Sequence, residues 1–284
     1  MSSKGFWSRF LVPGGVWLTL LFLVPICLVL ALSFGYTDDL GRATYAFEWD
    51  NYKDAFDPLY VPVLLRSVGF AVATALLCLL LGYPIAYYIA RYGGRRKHIL
   101  IALLVLPFFV NYLVRTYAWV ALLADDGLVN SGLRSIGLTD TGIQLINTPY
   151  AVIGGLVYGY LVFMILPIYA ALDRMDPSLV EAGKDLFGTP FRTFIHVTLP
   201  QTKQGILAGC VLVFLPAVGD FVSAQLLGGP DTYMVGNLIQ DQFFTANNWP
   251  FGSALTVVMM LFLSVWMIGY LRSAAREARE SVSV

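Results

Sequence analysis

Few residue types in this sequence could do chemistry, and their positions narrow what that chemistry is. Asp220 is the only acid embedded in a long apolar stretch, and the cost of burying a carboxylate there marks it as a functional candidate by default. The aromatics Tyr117, Trp119, Tyr158 and Tyr160 lie in two other apolar stretches. Carboxylates and aromatic faces together attract ammonium groups without holding them irreversibly. The same residues also suit plainer roles: the aromatics as a membrane-interface belt, Asp220 as an outer-interface acid paired with Arg115. Arg115 would repel a cation, which assigns it to scaffolding or to contact with a partner. Asp220, Tyr117, Trp119 and Tyr158 are the candidate lining of a solute pathway.

Catalysis finds no support. The two histidines, His98 and His196, fall at ends of apolar runs, and neither an H-E-x-x-H nor a G-x-S-x-G pattern occurs. The one Gly-Lys pair, Gly183-Lys184, is followed by Asp185 and lacks a preceding glycine at phosphate-loop spacing, so no nucleotide cradle is encoded. Cys27, Cys78 and Cys210 sit singly in apolar runs, as small buried hydrophobes rather than disulfide or zinc ligands. The expectation is a chain with no catalytic residue, no metal and no cofactor of its own.

The elements that must position these residues follow from composition. The 284 residues are 58% hydrophobic and 13% charged, with a mean hydropathy of +0.71, against roughly a quarter charged in soluble domains. Eighteen basic and eighteen acidic residues cancel, which leaves no basic excess for nucleic acid and no net charge to favour disorder. A membrane span needs about 20 mostly apolar residues. Six stretches qualify: about 11–34, 67–90, 98–120, 150–172, 204–226 and 251–271. The first follows Lys4 and Arg9 but is too long for a signal-peptide core, and reads as an uncleaved span. The expected fold is all-α, a single membrane domain over 1–284, with polar segments too short for a separate core.

Loop charges set the orientation. Lys4, Arg9, Arg91, Arg95, Arg96, Lys97, Arg174, Lys184, Arg192, Lys203, Arg272, Arg276 and Arg279, 13 of the 18 basic residues, fall on one side together with both termini. That side is expected to be cytoplasmic by the positive-inside rule. Asp173, Asp176, Glu181, Asp185, Glu277 and Glu280 are the acids there, whereas Asp38, Asp39, Glu48, Asp50, Asp54 and Asp57 make the first external loop acidic.

The most informative polar segment is 176–200. Asp176-Pro177 and Thr189-Pro190 each offer a capping oxygen followed by a proline at the first helical position. Gly188 should end the first helix and Pro200 close the second. Leu179, Ala182, Gly183 and Leu186 share one face of the first helix, a surface that suits either a partner or the chain's own bundle.

This segment resembles the EAA loop of permease subunits in binding-protein-dependent ABC importers: Glu-Ala-Ala, three residues, Gly, nine residues, Ile, one residue, Leu-Pro. Glu181, Ala182, Leu199 and Pro200 match; Gly183 and Val197 replace the second Ala and the Ile; Phe187 stands at the Gly position, with Gly188 one residue later. The segments 106–119, 126–130, 219–223 and 226–231, with Asn248-Trp-Pro250, look like the spermidine/putrescine branch of that family. The resemblance implies a six-helix permease of the bacterial inner membrane that pairs with a second permease. It also implies a soluble substrate-binding protein outside and two ATPase subunits inside, which bind the ATP and Mg. Glu181, Ala182, Gly183, Gly188, Val197, Leu199 and Pro200 would then form the coupling contact to an ATPase. Permeases for other small solutes share part of these motifs. An ion-coupled secondary transporter would need its own coupling sites and usually an internal repeat, and neither is visible.

Overall fold

The computed structural model describes residues 3–38, 41–139 and 142–280, with side chains from residue 12 to residue 272 of that range. Asp39 of the acidic loop and residues 281–284 lie outside the described residues, as do the side chains of Lys4, Arg9, Arg276, Glu277, Arg279 and Glu280.

In chain order the main elements are helix α1 (Ser3–Ser33), a short antiparallel hairpin of β1 (Tyr36–Thr37) and β2 (Ala43–Thr44), α2 (Asp50–Ala55), α3 (Val61–Tyr92), α4 (Lys97–Val105), α5 (Tyr112–Leu123) and α6 (Leu128–Ser135). Then come α7 (Pro149–Arg174), α8 (Pro177–Phe187), α9 (Pro190–Thr193), α10 (Leu199–Gln201), α11 (Lys203–Val218), α12 (Val222–Leu227), α13 (Val235–Phe244) and α14 (Trp249–Glu280). The chain divides into two compact units, Met1–Val61 with Leu238–Val265, and Pro62–Asn237 with Trp266–Val284.

In the first unit the end of α1 is pinned by the loop that follows it. Asn51 donates to the carbonyls of Ser33 (3.1 Å) and Gly35 (2.7 Å), and the Ser33 and Tyr52 hydroxyls are 2.6 Å apart. Phe34 stacks on Phe47 and meets Trp49 edge-on, with ring centroids 5.1 and 5.0 Å away. The body of α1 is apolar all round and has no buried residue from 12 to 32, leaving Trp17 and Phe22 about two-thirds exposed. Such a surface is stable in lipid and not in water.

The second unit is built on α7. Thr148 accepts from the Ala151 N–H and Pro149 occupies the first helical position, so the start of α7 is capped as its sequence dictates. One side of α7, with Val152, Leu156, Ile165, Ile168 and Leu172, is essentially fully buried. Gly205 and Gly209 bring α11 against it: a Cβ on either would come within 2.8 Å of α7 atoms. Lys97 at the head of α4 pairs with Asp173 at the end of α7 (2.9 Å), placing those two ends together.

Among the described residues, four helices are long and apolar enough to cross a membrane: Val12–Ser33, Val61–Tyr92, Pro149–Arg174 and Trp249–Arg272. Two bent pairs raise the number to six if each pair is one span. The stretch 98–120, expected as one helix, is broken by 88°. Pro107 lies in a 3-10 turn (Leu106–Phe109), Val110 is extended, and Asn111 restarts the chain as α5 by accepting from the Leu113 N–H at 2.9 Å. The stretch 204–226 is not one helix either, because α11 stops at Val218 and Asp220 heads the separate α12. Pro200 does not close the second loop helix. A π-helical turn over Phe194–Thr198 widens the backbone where the proline ring would strike the carbonyl four residues earlier, and the chain runs through Gln201 into α11 with a 65° bend.

Candidate functional site

Two polar constructions stand out, both in the second unit. The first is the 176–200 hairpin. Asp176 Oδ1 accepts from the Ser178 N–H at 2.9 Å, which caps α8 and holds the carboxyl below its ordinary range. Gly188 ends α8 in the left-handed conformation (φ 68°), with its N–H on the Lys184 carbonyl at 2.8 Å. Thr189 then starts the second segment by accepting from the Arg192 N–H at 3.4 Å.

The two arms fold onto each other at Gly183, the one buried residue of α8. A Cβ there would lie 2.8 Å from Val197 Cγ2 and 2.9 Å from Thr193 Cγ2, so only glycine permits this approach. Gly183 therefore leaves the face it was expected to share. Leu179, Ala182 and Leu186 point outward with Glu181, and Leu186 and Phe191 are 78% and 71% exposed. Phe187, at the position expected for glycine, stacks its ring on His196 at 4.9 Å across the hairpin. Leu199 and Pro200 lie beyond the π turn, both exposed.

The second construction surrounds Asp220, which is 6% exposed. Its Oδ1 accepts from the Ser223 N–H (2.9 Å), and its Oδ2 accepts from the hydroxyls of Tyr160 (2.8 Å), Tyr112 and Ser223 (3.4 Å). Tyr112 and Ser223 hydroxyls are themselves 2.7 Å apart. One carboxylate thus ties the head of α12 to the first residue of α5 and to the middle of α7. Satisfying a buried charge in this way is what makes its burial tolerable.

The expected alternative, an Asp220–Arg115 ion pair, does not form, since the carboxylate is already satisfied by these donors. Arg115 instead lies over the Phe108 ring, 4.6 Å from its centroid, with Tyr112 at 5.6 Å and Tyr158 at 5.9 Å. Trp119 meets Tyr158 edge-on at 5.6 Å. Of the four pathway candidates, Trp119 and Tyr158 come together, Asp220 is linked to Tyr158 through Tyr112 and Arg115, and Tyr117 projects outward, 59% exposed. Tyr112, Ser223 and Phe108 carry contacts that sequence reasoning did not assign. Asp is a preferred residue at helix starts, and its type is the signal the sequence offers that Asp220 heads a helix rather than lying inside one.

A mainly helical chain with exposed apolar helices, a capped polar hairpin and one satisfied buried acid defines a multi-pass membrane component. Residues 6–278 match the family described as binding-protein-dependent transport system inner membrane component, and the chain belongs to that family. It is 38% identical over 258 residues to the Escherichia coli spermidine/putrescine transport system permease protein PotB, covering 91% of this chain and 94% of that one. The Haemophilus influenzae PotB is 40% identical over 257 residues, 90% of each chain. The fold matches a chain of a bacterial alginate ABC transporter crystallised with an alginate pentasaccharide-bound periplasmic protein, at a TM-score of 0.73 over 96% of this chain and 95% of that one, with 19% identity.

Proposed function

We propose that this chain is a permease subunit of an ATP-driven importer for polyamines of the spermidine/putrescine type. The observation that carries the reading is the 38–40% identity to spermidine/putrescine permeases along nine-tenths of the chain. The chemistry agrees with it: aromatic faces and one acid are concentrated where α5, α7 and α12 meet, and these are groups that attract ammonium without trapping it.

In this reading the chain works as one permease domain beside a second permease, and a soluble binding protein delivers the solute from outside. Two ATP-binding subunits inside carry ATP and Mg. The hairpin docks on one of them through Glu181, Ala182 and the outward Leu179, Leu186 and Phe191, while Gly183, Gly188, Val197, Leu199 and Pro200 hold its shape. Driving a two-state bundle from 1:99 to 99:1 takes about 5.5 kcal/mol of differential binding, within reach of ATP and the loaded binding protein together. An interior-negative potential adds about 2.3 kcal/mol per charge per 100 mV for a cation moving inward. The 13-to-5 split of basic residues supports a cytoplasmic location for both termini and the hairpin. The Lys97–Asp173 pair is consistent with that topology, because it joins two loops assigned to the same side.

Radiolabelled spermidine and putrescine uptake tests the reading, in cells lacking their own polyamine uptake and given this chain with its partner subunits. Saturable, ATP-dependent uptake of either is expected; an assembled complex that imports neither would overturn it. For orientation, Gly94→Cys should be shielded from an impermeant thiol reagent in intact cells and Asn51→Cys should react.

A further inference from the structure

Arg115 is a fixed cation in a chain read as carrying cations, and its surroundings are those of a bound ligand rather than of an ion pair. Its guanidinium lies within 6 Å of three ring centroids, those of Phe108 on the 3-10 turn, Tyr112 one turn earlier on α5, and Tyr158 on α7. Among the described residues no acid pairs with it, and its Nε is buried without an acceptor. The charge is held by ring faces. Such faces attract a guanidinium and a primary ammonium alike, since the attraction is to positive charge and not to a particular donor geometry.

The recess is also prepared for a cation by more than its rings. The Tyr112 hydroxyl donates to Asp220, which fixes the ring and sets a carboxylate behind it. Trp119 packs edge-on against Tyr158 and extends the aromatic wall, and Tyr158 itself is 40% exposed.

We propose that the Phe108–Tyr112–Tyr158 recess is a subsite for a primary ammonium group of the transported polyamine, and that Arg115 is its resident competitor, filling the recess when no solute is there. This rests on the polyamine reading above. Two like charges cannot share a recess a few ångströms across, so an arriving ammonium must displace the guanidinium, whose flexible stem lets it swing away. Displacement keeps the solute weakly held, and a transport site must release what it binds. It also reconciles a cationic side chain with a cationic solute: Arg115 repels only while it occupies the subsite.

Equilibrium binding of radiolabelled spermidine to the purified, assembled transporter in lipid nanodiscs, without ATP or binding protein, tests the assignment. Arg115→Gln removes the competitor and should tighten binding about tenfold, with a lowered KM for uptake and a slower maximal rate. Arg115→Lys, which keeps a competing charge, should stay within about twofold of wild type. Unchanged or weaker binding in an assembled Arg115→Gln complex would overturn the proposal. Should that variant fail to assemble, Tyr158→Cys decides. Saturating spermidine should slow its reaction with a cationic methanethiosulfonate at least fivefold, and absence of protection would overturn the proposal. Wild-type uptake without these effects refutes the subsite alone, whereas absence of wild-type polyamine uptake refutes the polyamine reading and the subsite with it.

Discussion

The 176–200 hairpin is held by bonds between near neighbours and turns apolar side chains outward, whereas the Asp220 cluster is held by bonds between distant residues and turns almost nothing outward. In the hairpin, Asp176 reaches Ser178, Thr189 reaches Arg192, and Gly188 reaches Lys184. Around Asp220 only Ser223 is local, and the two tyrosine partners lie 108 and 60 residues away in sequence. The hairpin therefore fixes its own shape and leaves Leu186 and Phe191 without cover, as a docking element would. The cluster fixes how three helices meet and keeps its polar groups to itself, as a positioning element would.

The largest effect should come from breaking the cluster. Asp220→Ala strands the Tyr160 hydroxyl and the Ser223 N–H and leaves Tyr112 only its contact with the Ser223 hydroxyl, at about 1–3 kcal/mol for each group left without a partner. A loss on the order of 3 kcal/mol is expected in thermal unfolding of the detergent-purified chain. Asp220→Asn, which keeps one acceptor, should lose less. Adding Arg115→Gln to Asp220→Asn should restore neither stability nor uptake, because Arg115 stacks on Phe108 and is no partner of Asp220. Rescue by the double variant would contradict the geometry.

Gly183→Val should come next. Its added carbons must enter space held by Val197 and Thr193, and overpacking of this kind costs about 1–3 kcal/mol. The two arms should separate, and ATPase co-purification should fall while the Asp220 cluster stays intact. Wild-type co-purification from Gly183→Val would show that the tight crossing is not needed for docking.

What could be read from the amino-acid order follows the same division. Asp176-Pro177, Gly188 and Thr189-Pro190 are complete within a few residues, so both starts of the hairpin and the end of α8 were legible. The membrane class was legible because apolar length is a one-dimensional property. The inward turn of Gly183 was not, since it depends on a partner arm that continues through Pro200 instead of stopping there. The break after Pro107 was written in Leu-Pro-Phe-Phe-Val-Asn, yet high hydropathy across it masked the change of direction. Asp220 drew attention by its cost, but its partners Tyr112 and Tyr160 come from helices whose meeting no local pattern announces.

The smallest effect is in the pH response of the hairpin. The Ser178 N–H holds the Asp176 carboxyl below its ordinary value, so the charged form contributes stability. That contribution is complete above the ordinary carboxylate range and is lost only as pH falls through the depressed folded value. Hydrogen exchange at the amides of 178–180 should be flat from neutral pH to about pH 5 once corrected for intrinsic rate, and lose protection in stronger acid. Asp176→Asn should abolish this pH dependence, and its persistence would place the titration elsewhere.

The division of labour between the two regions is tested most directly by comparing Glu181→Lys with Tyr160→Phe in one assay, melting temperature and ATPase co-purification measured on the same membranes. Glu181 is exposed, so Glu181→Lys should leave stability within about 0.5 kcal/mol of wild type and lose the ATPase. Tyr160→Phe removes one hydrogen bond to a charged acceptor, and should cost about 1.5–3 kcal/mol while the ATPase still co-purifies. A Glu181→Lys chain that keeps its ATPase, or a Tyr160→Phe chain that melts as wild type and loses it, would contradict the account.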